Sequence, residues 1–271
     1  MLEITNVNTN VNSDSCFVKL KSRGLIHIEG EERKDLLQNI ITNDLAFLSP
    51  DTALYSCLLS PQGKFLHDFF ITEIGETLLL ECEGGERAKD LYRRLKMYAL
   101  RRKITFSVDE HIDVYAVFSD AKPAPHAYKD PRHPDMGWRV HGEHPDNIPE
   151  SPFETWDKHR ISLCIPDGSR DLEIERANML ESNLDKLHAV SFTKGCFVGQ
   201  ELTARMNYRG LSKKHLYAVK INDDTLQSGD DIKIEGKLTG TLRSRCGDIG
   251  LAQIKDAMLD NLHHNTAISL L

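Results

Sequence analysis

A chain of 271 residues with 40% hydrophobic content is long enough to bury a sizeable core and to divide into two or three domains. A formal net charge of -7 at pH 7 supplies no overall cationic field, so direct nucleic-acid binding and attraction to an anionic membrane are not expected. The start, "MLEITNVNTNVNSDS", lacks the basic head and apolar run of a secretion signal, and no stretch reaches the roughly 18 apolar residues of a spanning helix, which leads to the expectation of a cytoplasmic protein.

Along the chain, "GLIHIEG" (24–30) reads as a strand, and "EERKDLLQNII" after it places Leu36, Leu37, Ile40 and Ile41 at helical spacing. "ALYSCLLS" and "KFLHDFFITEI" flank the turn signal "PQG" and predict a hairpin, with a further strand at "TLLLECE". Residues 85–100 return to helical periodicity through Leu91, Leu95 and Tyr98, and "KITFSV" and "IDVYAVFSD" read as strands. Helices scattered among meandering strands, without regular βαβ crossovers, predict an α+β fold. Residues 119–152 carry seven prolines and predict a loop-rich connection with one extended piece at "GWRV". "FETWDKHRISL" and "LEIERANMLESNLDKL" read as helices. After Gly210, short strand candidates broken by Gly and Asp predict a small β-barrel over 211–271, leaving 1–210 as a bipartite α+β region with an inner part near 45–118.

Six cysteines (Cys16, Cys57, Cys82, Cys164, Cys196 and Cys246) are scattered without a C-x-x-C pair, so reduced thiols and no zinc site are expected. Histidines 126, 133, 141 and 144 in the proline-rich connection lack ligand spacing, and His263 and His264 are expected at the surface. The basic run Arg93, Arg94, Lys96, Arg101, Arg102 and Lys103 reads as a solvated helix face, with a polyanion contact as the alternative.

The stretch "KGCFVGQE" (194–201) sets a cysteine between two glycines, beside a lysine and a carboxylate. Glycines at 195 and 199 permit tight turns, and Gln200 and Glu201 open a predicted helix whose positive end favours a thiolate. Lys194 and Arg205 would add to that effect if the fold brings them close, making Cys196 a nucleophile or metal ligand. The alternative is a cysteine filling a gap between strand and helix.

"KGCFVGQE", with "AR" at 204–205 and "YRG" at 208–210, resembles the signature of the YgfZ family of folate-binding proteins, relatives of the glycine cleavage T-protein, an aminomethyltransferase. "GLIHIEGEERKDLLQNIITNDL", "LLSPQGKFLHDFFI", "MLESNLDKLHAVSF" and "GDIGLAQI" extend the resemblance over nearly the whole chain. It implies a ring of domains around a site for tetrahydrofolate or a one-carbon derivative, faced by Cys196, and a role with iron-sulfur proteins or their assembly factors, including tRNA-modifying enzymes. Asp68, Glu181, Arg205, Tyr208 and Arg209 are the implied folate contacts, with Cys196 and Lys194 as the reactive pair. Two departures stand out. Phe197 replaces the family's usual tyrosine, and His67 stands where the T-protein carries the first of two adjacent carboxylates, which weakens the alternative of aminomethyl transfer. On the residues alone, Asp68 could be a solvated strand residue and Glu181 a surface acid.

Overall fold

The computed structural model describes residues 15–49, 52–262 and 266–271; the polar N-terminal stretch to residue 14 and the pair His263 and His264 lie outside them. Three antiparallel sheets carry the fold. The element order begins with β1 (Cys16–Lys19), β2 (Arg23–Glu29) and α1 (Arg33–Ile40). It continues with β3 (Leu54–Leu59), β4 (Phe65–Ile74), β5 (Thr77–Glu83), α2 (Glu86–Tyr98), β6 (Thr105–Asp109) and β7 (Val114–Phe118). Strands β3 to β5 form a meander that β2 and β6 complete in the order β3-β4-β5-β2-β6. The apolar stripes of α1 and α2, including Leu36, Leu37, Leu91 and Leu95, bury one face of this sheet with Ile26, Ile28, Phe69 and Leu80.

The opposite face of the same sheet looks into a larger core. β1 and β7 pair with β8 (Tyr128–Lys129) and β9 (Trp138–His141), drawn from the proline-rich connection, in the order β1-β7-β9-β8. Helix α3 (Phe153–Ser162) and the segment after it pack here through Trp156, Ile161, Met179 and Leu184. The segment "LEIERANMLESNLDKL" is not the helix its apolar spacing predicts: Glu175 and Asn183 take positive φ of 61° and 56°, and only a single 3-10 turn forms at Leu180–Ser182. Its backbone is claimed instead by β4, with Phe65 N–H donating to Ala177 O at 2.9 Å and Glu175 N–H to Phe65 O at 2.8 Å. Its leucines and Met179 are buried without a helix to carry them, while Ile174 is exposed.

After α4 (Gln200–Arg209) come β10 (Lys214–Ile221), β11 (Asp231–Ile234), β12 (Lys237–Cys246) and β13 (Ile249–Lys255), then the short α5 (Leu259–Leu262) and β14 (Ile268–Leu270). They form one sheet in the order β11-β12-β13-β10-β14 with its own core around Val219, Leu242 and Ile254. No pairing joins β11 to β14 among the described residues, so the barrel expected after Gly210 is an open, half-barrel sheet. Arg160 ties it to α3: the buried guanidinium donates to Asp157 and Asp171 at 2.7 Å and to Ser244 Oγ on β12 at 3.0 Å.

Candidate functional site

The signature loop is fixed from three sides. Upstream, the turn after α1 holds its approach: Thr42 Oγ1 donates to Ala189 O at 2.6 Å, and Asn43 Nδ2 donates to His188 O at 2.7 Å and Tyr55 O at 2.9 Å. Lys194 then reaches back to the same turn and donates from Nζ to Ile41 O at 2.7 Å and Asn43 O at 2.8 Å. Burial lowers its amine to about 8. Phe197, only 8% exposed, sinks into the larger core, and Lys194 lies 5.6 Å over its ring. The hydroxyl that the family's tyrosine carries is thus absent at a buried position.

Gly199 supplies the third constraint. Its φ of +80° is left-handed, and a Cβ there would meet Ser60 O at 2.5 Å and Gly63 Cα at 2.9 Å. The start of α4 therefore lies directly against the hairpin turn between β3 and β4, the "PQG" turn read in the sequence. Between the Lys194 and Phe197 anchors, Gly195 (φ +100°) has nothing within 4 Å of a built Cβ, and Cys196 is exposed. Four of the other five cysteines differ. Burial pushes the thiols of Cys82 and Cys164 up to about 12 and raises those of Cys57 and Cys246, which keeps them protonated and inert. Of the two cations expected to act on Cys196, Lys194 is engaged by carbonyls and Arg205 is exposed on α4. Tyr208 and Arg209 are also exposed, on the same face of α4 as Arg205.

Asp68 is not a solvated strand residue. Past a register shift opposite Leu58 and Leu59, β4 alternates regularly and neighbouring residues face opposite ways. His67 bonds Asp90 of α2 at 2.8 Å, and burial together with the Arg87 charge lowers its imidazole to about 4, leaving it neutral. Asp68 lies on the other face, 3% exposed, accepting from Tyr55 OH at 3.0 Å. Burial raises its carboxyl against the opposing pull of Arg23 and Arg132.

It borders an ionic network that the sequence reading passed over. Glu81, fully buried, accepts from Arg23 Nε at 2.9 Å, Arg139 Nε at 2.9 Å, Tyr128 OH at 2.8 Å and His141 Nε2 at 2.9 Å, with a further bond from Arg139 Nη2. Asp130 holds Arg132 through both carboxylate oxygens at 3.0 and 2.7 Å. Phe70 lies beneath all three guanidiniums, 4.3 Å from Arg139, 4.8 Å from Arg132 and 5.6 Å from Arg23. The available signal was a charge inside an apolar strand run: Glu81 within "LLLECE" and Arg139 within "GWRV".

Glu181 belongs to a separate polar chain. Its Oε2 accepts from Asn178 Nδ2 at 3.0 Å and lies 3.9 Å from Lys214 Nζ of β10, while Asn178 Oδ1 accepts from Lys64 Nζ at 2.7 Å. Oε1 of Glu181 accepts no hydrogen bond among the described residues, and the side chain is 15% exposed. No hydrogen bond or ion pair links Glu181, Asp68 and Cys196 to one another among the described residues. In the basic run at the end of α2, Arg93, Lys96, Arg101 and Lys103 are exposed, while Arg94 pairs with Asp90 at 2.7 Å.

No protein-family profile matches the chain. The architecture is that of the aminomethyltransferases: the glycine cleavage system aminomethyltransferase T from Bartonella henselae shares it with a TM-score of 0.73 over 91% of this chain and 80% of that one, at 14% identity. Identity that low speaks for the fold alone. In sequence, the chain is similar to the mitochondrial iron-sulfur cluster assembly factor IBA57 of Mus musculus, 31% identical over 95% of this chain and 82% of that protein. The Homo sapiens protein is 32% identical over 88% and 76%, and the Pyricularia oryzae homologue 30% over 91% and 73%. The chain belongs to the IBA57 family of iron-sulfur cluster assembly factors. These relatives are mitochondrial, which corrects the cytoplasmic expectation and points to mitochondria. That no helix among the described residues is long and apolar enough to cross a membrane does not distinguish cytosol from an organelle interior.

Proposed function

We propose that this chain assists iron-sulfur cluster assembly through the thiol of Cys196, acting on a cluster as cargo shared with a partner. The observation that carries the reading is the exposure of Cys196 on an anchored loop while burial raises four of the other five thiols. Among the described residues no group of three or more His, Cys, Asp and Glu side chains is arranged to hold a metal. A cluster met by Cys196 therefore takes its remaining ligands from the partner, since iron-sulfur clusters are held by several thiolates. Lys194 positions the loop, and Arg205, Tyr208 and Arg209 lie on the exposed side of α4, open to such a partner.

Tetrahydrofolate is the finer part of the proposal. Glu181 fits a pteridine, because its unengaged Oε1 and its neighbour Oε2 can accept two N–H donors from an aminopyrimidine edge. Asp68 fits less well, its carboxylate being sealed against Tyr55. With His67 turned to α2 and Asp68 to the other face, the two adjacent positions do not supply the carboxylate pair that the T-protein carries there, which speaks against aminomethyl transfer.

The test replaces Cys196 with Ala in cells that depend on this chain and measures the activity of iron-sulfur enzymes against their protein levels. Activity is expected to fall with enzyme abundance and the stability of the variant unchanged; full activity overturns the thiol's role. Calorimetric titration with tetrahydrofolate, native against Glu181→Ala, separately tests the pteridine contact, and no binding by the native protein removes it.

A further inference from the structure

The end of α2 carries a surface whose charge is opposite to that of the chain. Between Asp90 and Asp109 the sequence holds no acid, while Arg93, Arg94, Lys96, Arg101, Arg102 and Lys103 place six cations on a protein of net charge -7. Ala88, Leu91 and Leu95 turn one stripe of α2 to the core. Arg93, Lys96 and Met97 are exposed on the helix, and Leu100, Arg101 and Lys103 are exposed in the segment that follows it. Of the six cations only Arg94 has a carboxylate partner among the described residues, Asp90 at 2.7 Å. Lys96 donates to Tyr92 OH at 3.3 Å, and Glu32, the acid that reaches this segment from α1's start, accepts from the backbone N–H of Lys103 at 3.0 Å.

Two large apolar side chains stand among these cations. Leu100 is 77% exposed, and Met97, three residues earlier, is 62% exposed. The turn that carries them is itself unusual. Arg101 has a φ of 69°, a left-handed conformation that strains a side chain and that glycine commonly takes just after a helix. The surface thus keeps a guanidinium where glycine would be relaxed, next to a leucine turned to solvent.

The mixture of charge and exposed aliphatic surface narrows the partner. Single-stranded nucleic acid calls for aromatic side chains on which bases stack, but Tyr92 and Tyr98 are half-buried against the helix-side core. A lipid surface takes both elements at once, the cations at its headgroups and the apolar side chains at the acyl boundary. No helix among the described residues is long and apolar enough to cross a membrane, so such a contact is peripheral. We propose that the end of α2 docks on an anionic phospholipid surface, with Arg93, Arg101, Arg102 and Lys103 at the headgroups and Met97 and Leu100 entering the boundary beneath them. The chain's net charge of -7 gives no attraction overall, so binding is oriented through this one patch. The surface shares no residue with Cys196 or Glu181 and stands apart from the function proposed above.

Co-sedimentation of the full chain with lipid vesicles tests it. Vesicles of phosphatidylcholine mixed with phosphatidylglycerol are expected to bind the chain and vesicles of phosphatidylcholine alone are not, and added salt should release it. One basic side chain near an anionic surface changes binding about fivefold, so the triple variant Arg93→Gln, Arg101→Gln, Lys103→Gln should bind about a hundredfold more weakly. The triple variant Lys220→Gln, Lys233→Gln, Lys237→Gln removes the same charge from exposed positions of the C-terminal sheet and should bind like the native chain, because the attraction fades within a Debye length. Met97→Ser, Leu100→Ser should weaken vesicle binding several-fold and keep its salt dependence. The substituted side chains are all exposed, so each variant should melt at the native Tm. Absence of binding to the anionic vesicles, equal loss in the two triple variants, native affinity in Met97→Ser, Leu100→Ser, or tighter binding to a single-stranded RNA oligonucleotide than to the vesicles overturns the proposal.

Discussion

If Gly199 is glycine because α4 starts against the hairpin turn, then Gly199→Ala must cost more than a left-handed glycine elsewhere. At φ +80° an alanine pays the left-handed penalty of about 1–2 kcal/mol. Its Cβ would also stand 2.5 Å from Ser60 O and 2.9 Å from Gly63 Cα, both backbone atoms of a tight turn that cannot rotate aside. Overpacking of this kind adds about 1–3 kcal/mol, for a total near 2–5 kcal/mol. Gly210 at the other end of α4 provides the comparison: φ is +57° and nothing lies within 4 Å of a built Cβ, so only the backbone cost applies. Urea denaturation of the native chain and the two variants, with m-values compared to confirm a common transition, reads the difference directly. The clash should loosen the loop between Phe197 and α4, so the exposed Cys196 should show an altered rate with a thiol reagent in Gly199→Ala and the native rate in Gly210→Ala. Equal destabilisation by the two substitutions would refute the close approach as the reason for the glycine.

Two further predictions concern buried charge. Glu81→Gln leaves Arg23 and Arg139 without their carboxylate and should cost about 3–5 kcal/mol, as removal of one member of a buried pair does. Because the Glu81 carboxyl is held well below its ordinary range, its contribution is present above the unfolded value of about 4.3 and is lost as pH falls through the folded one. Acid titration should therefore bring the native and Glu81→Gln stability curves together below about pH 4.3; parallel curves would refute the assignment. Lys194 titrates with the opposite consequence: burial lowers it to about 8, so the folded chain binds fewer protons than the unfolded one above that pH. Native stability should gain from this group as pH rises from about 8 to about 10.4, and the gain should be missing from Lys194→Met, measured as the difference between the two denaturation series.

The fold was legible wherever apolar spacing and tertiary burial agree. The stripes of α1 and α2 and the meander flanking "PQG" stand where their periodicity puts them, because each buries one face against a neighbour. The segment around Glu175 was misread because its leucines and methionine are buried by many partners at once, which leaves a helix-like spacing without a helix. Register hid the fate of His67 and Asp68. Adjacent residues on a regular strand already face apart, and the bulge decides which of the two turns to α2 and which to the larger core. No local pattern announces a bulge whose cause is pairing with β3. The Glu81 network was missed for a related reason. Its members come from β2, β5, β8 and β9 and from the loop between the last two, and only the packing of two sheets brings them together.

The cysteine between two glycines is explained by the same separation of local and distant causes. Glycine at 199 answers a steric demand made by a hairpin far away in sequence, whereas glycine at 195 answers a backbone demand, its φ of +100° being one that side chains rarely adopt. Lys194 and Phe197 are turned inward, one to carbonyls and one to the core, and this leaves Cys196 as the outward residue between them. Its environment follows from that geometry. Lys194 fixes the position of the loop, its nitrogen being bound to the turn after α1. A loop held at both ends with its thiol to solvent suits a group that must meet a cluster on another molecule, since a fixed ligand loses little freedom when the partner arrives.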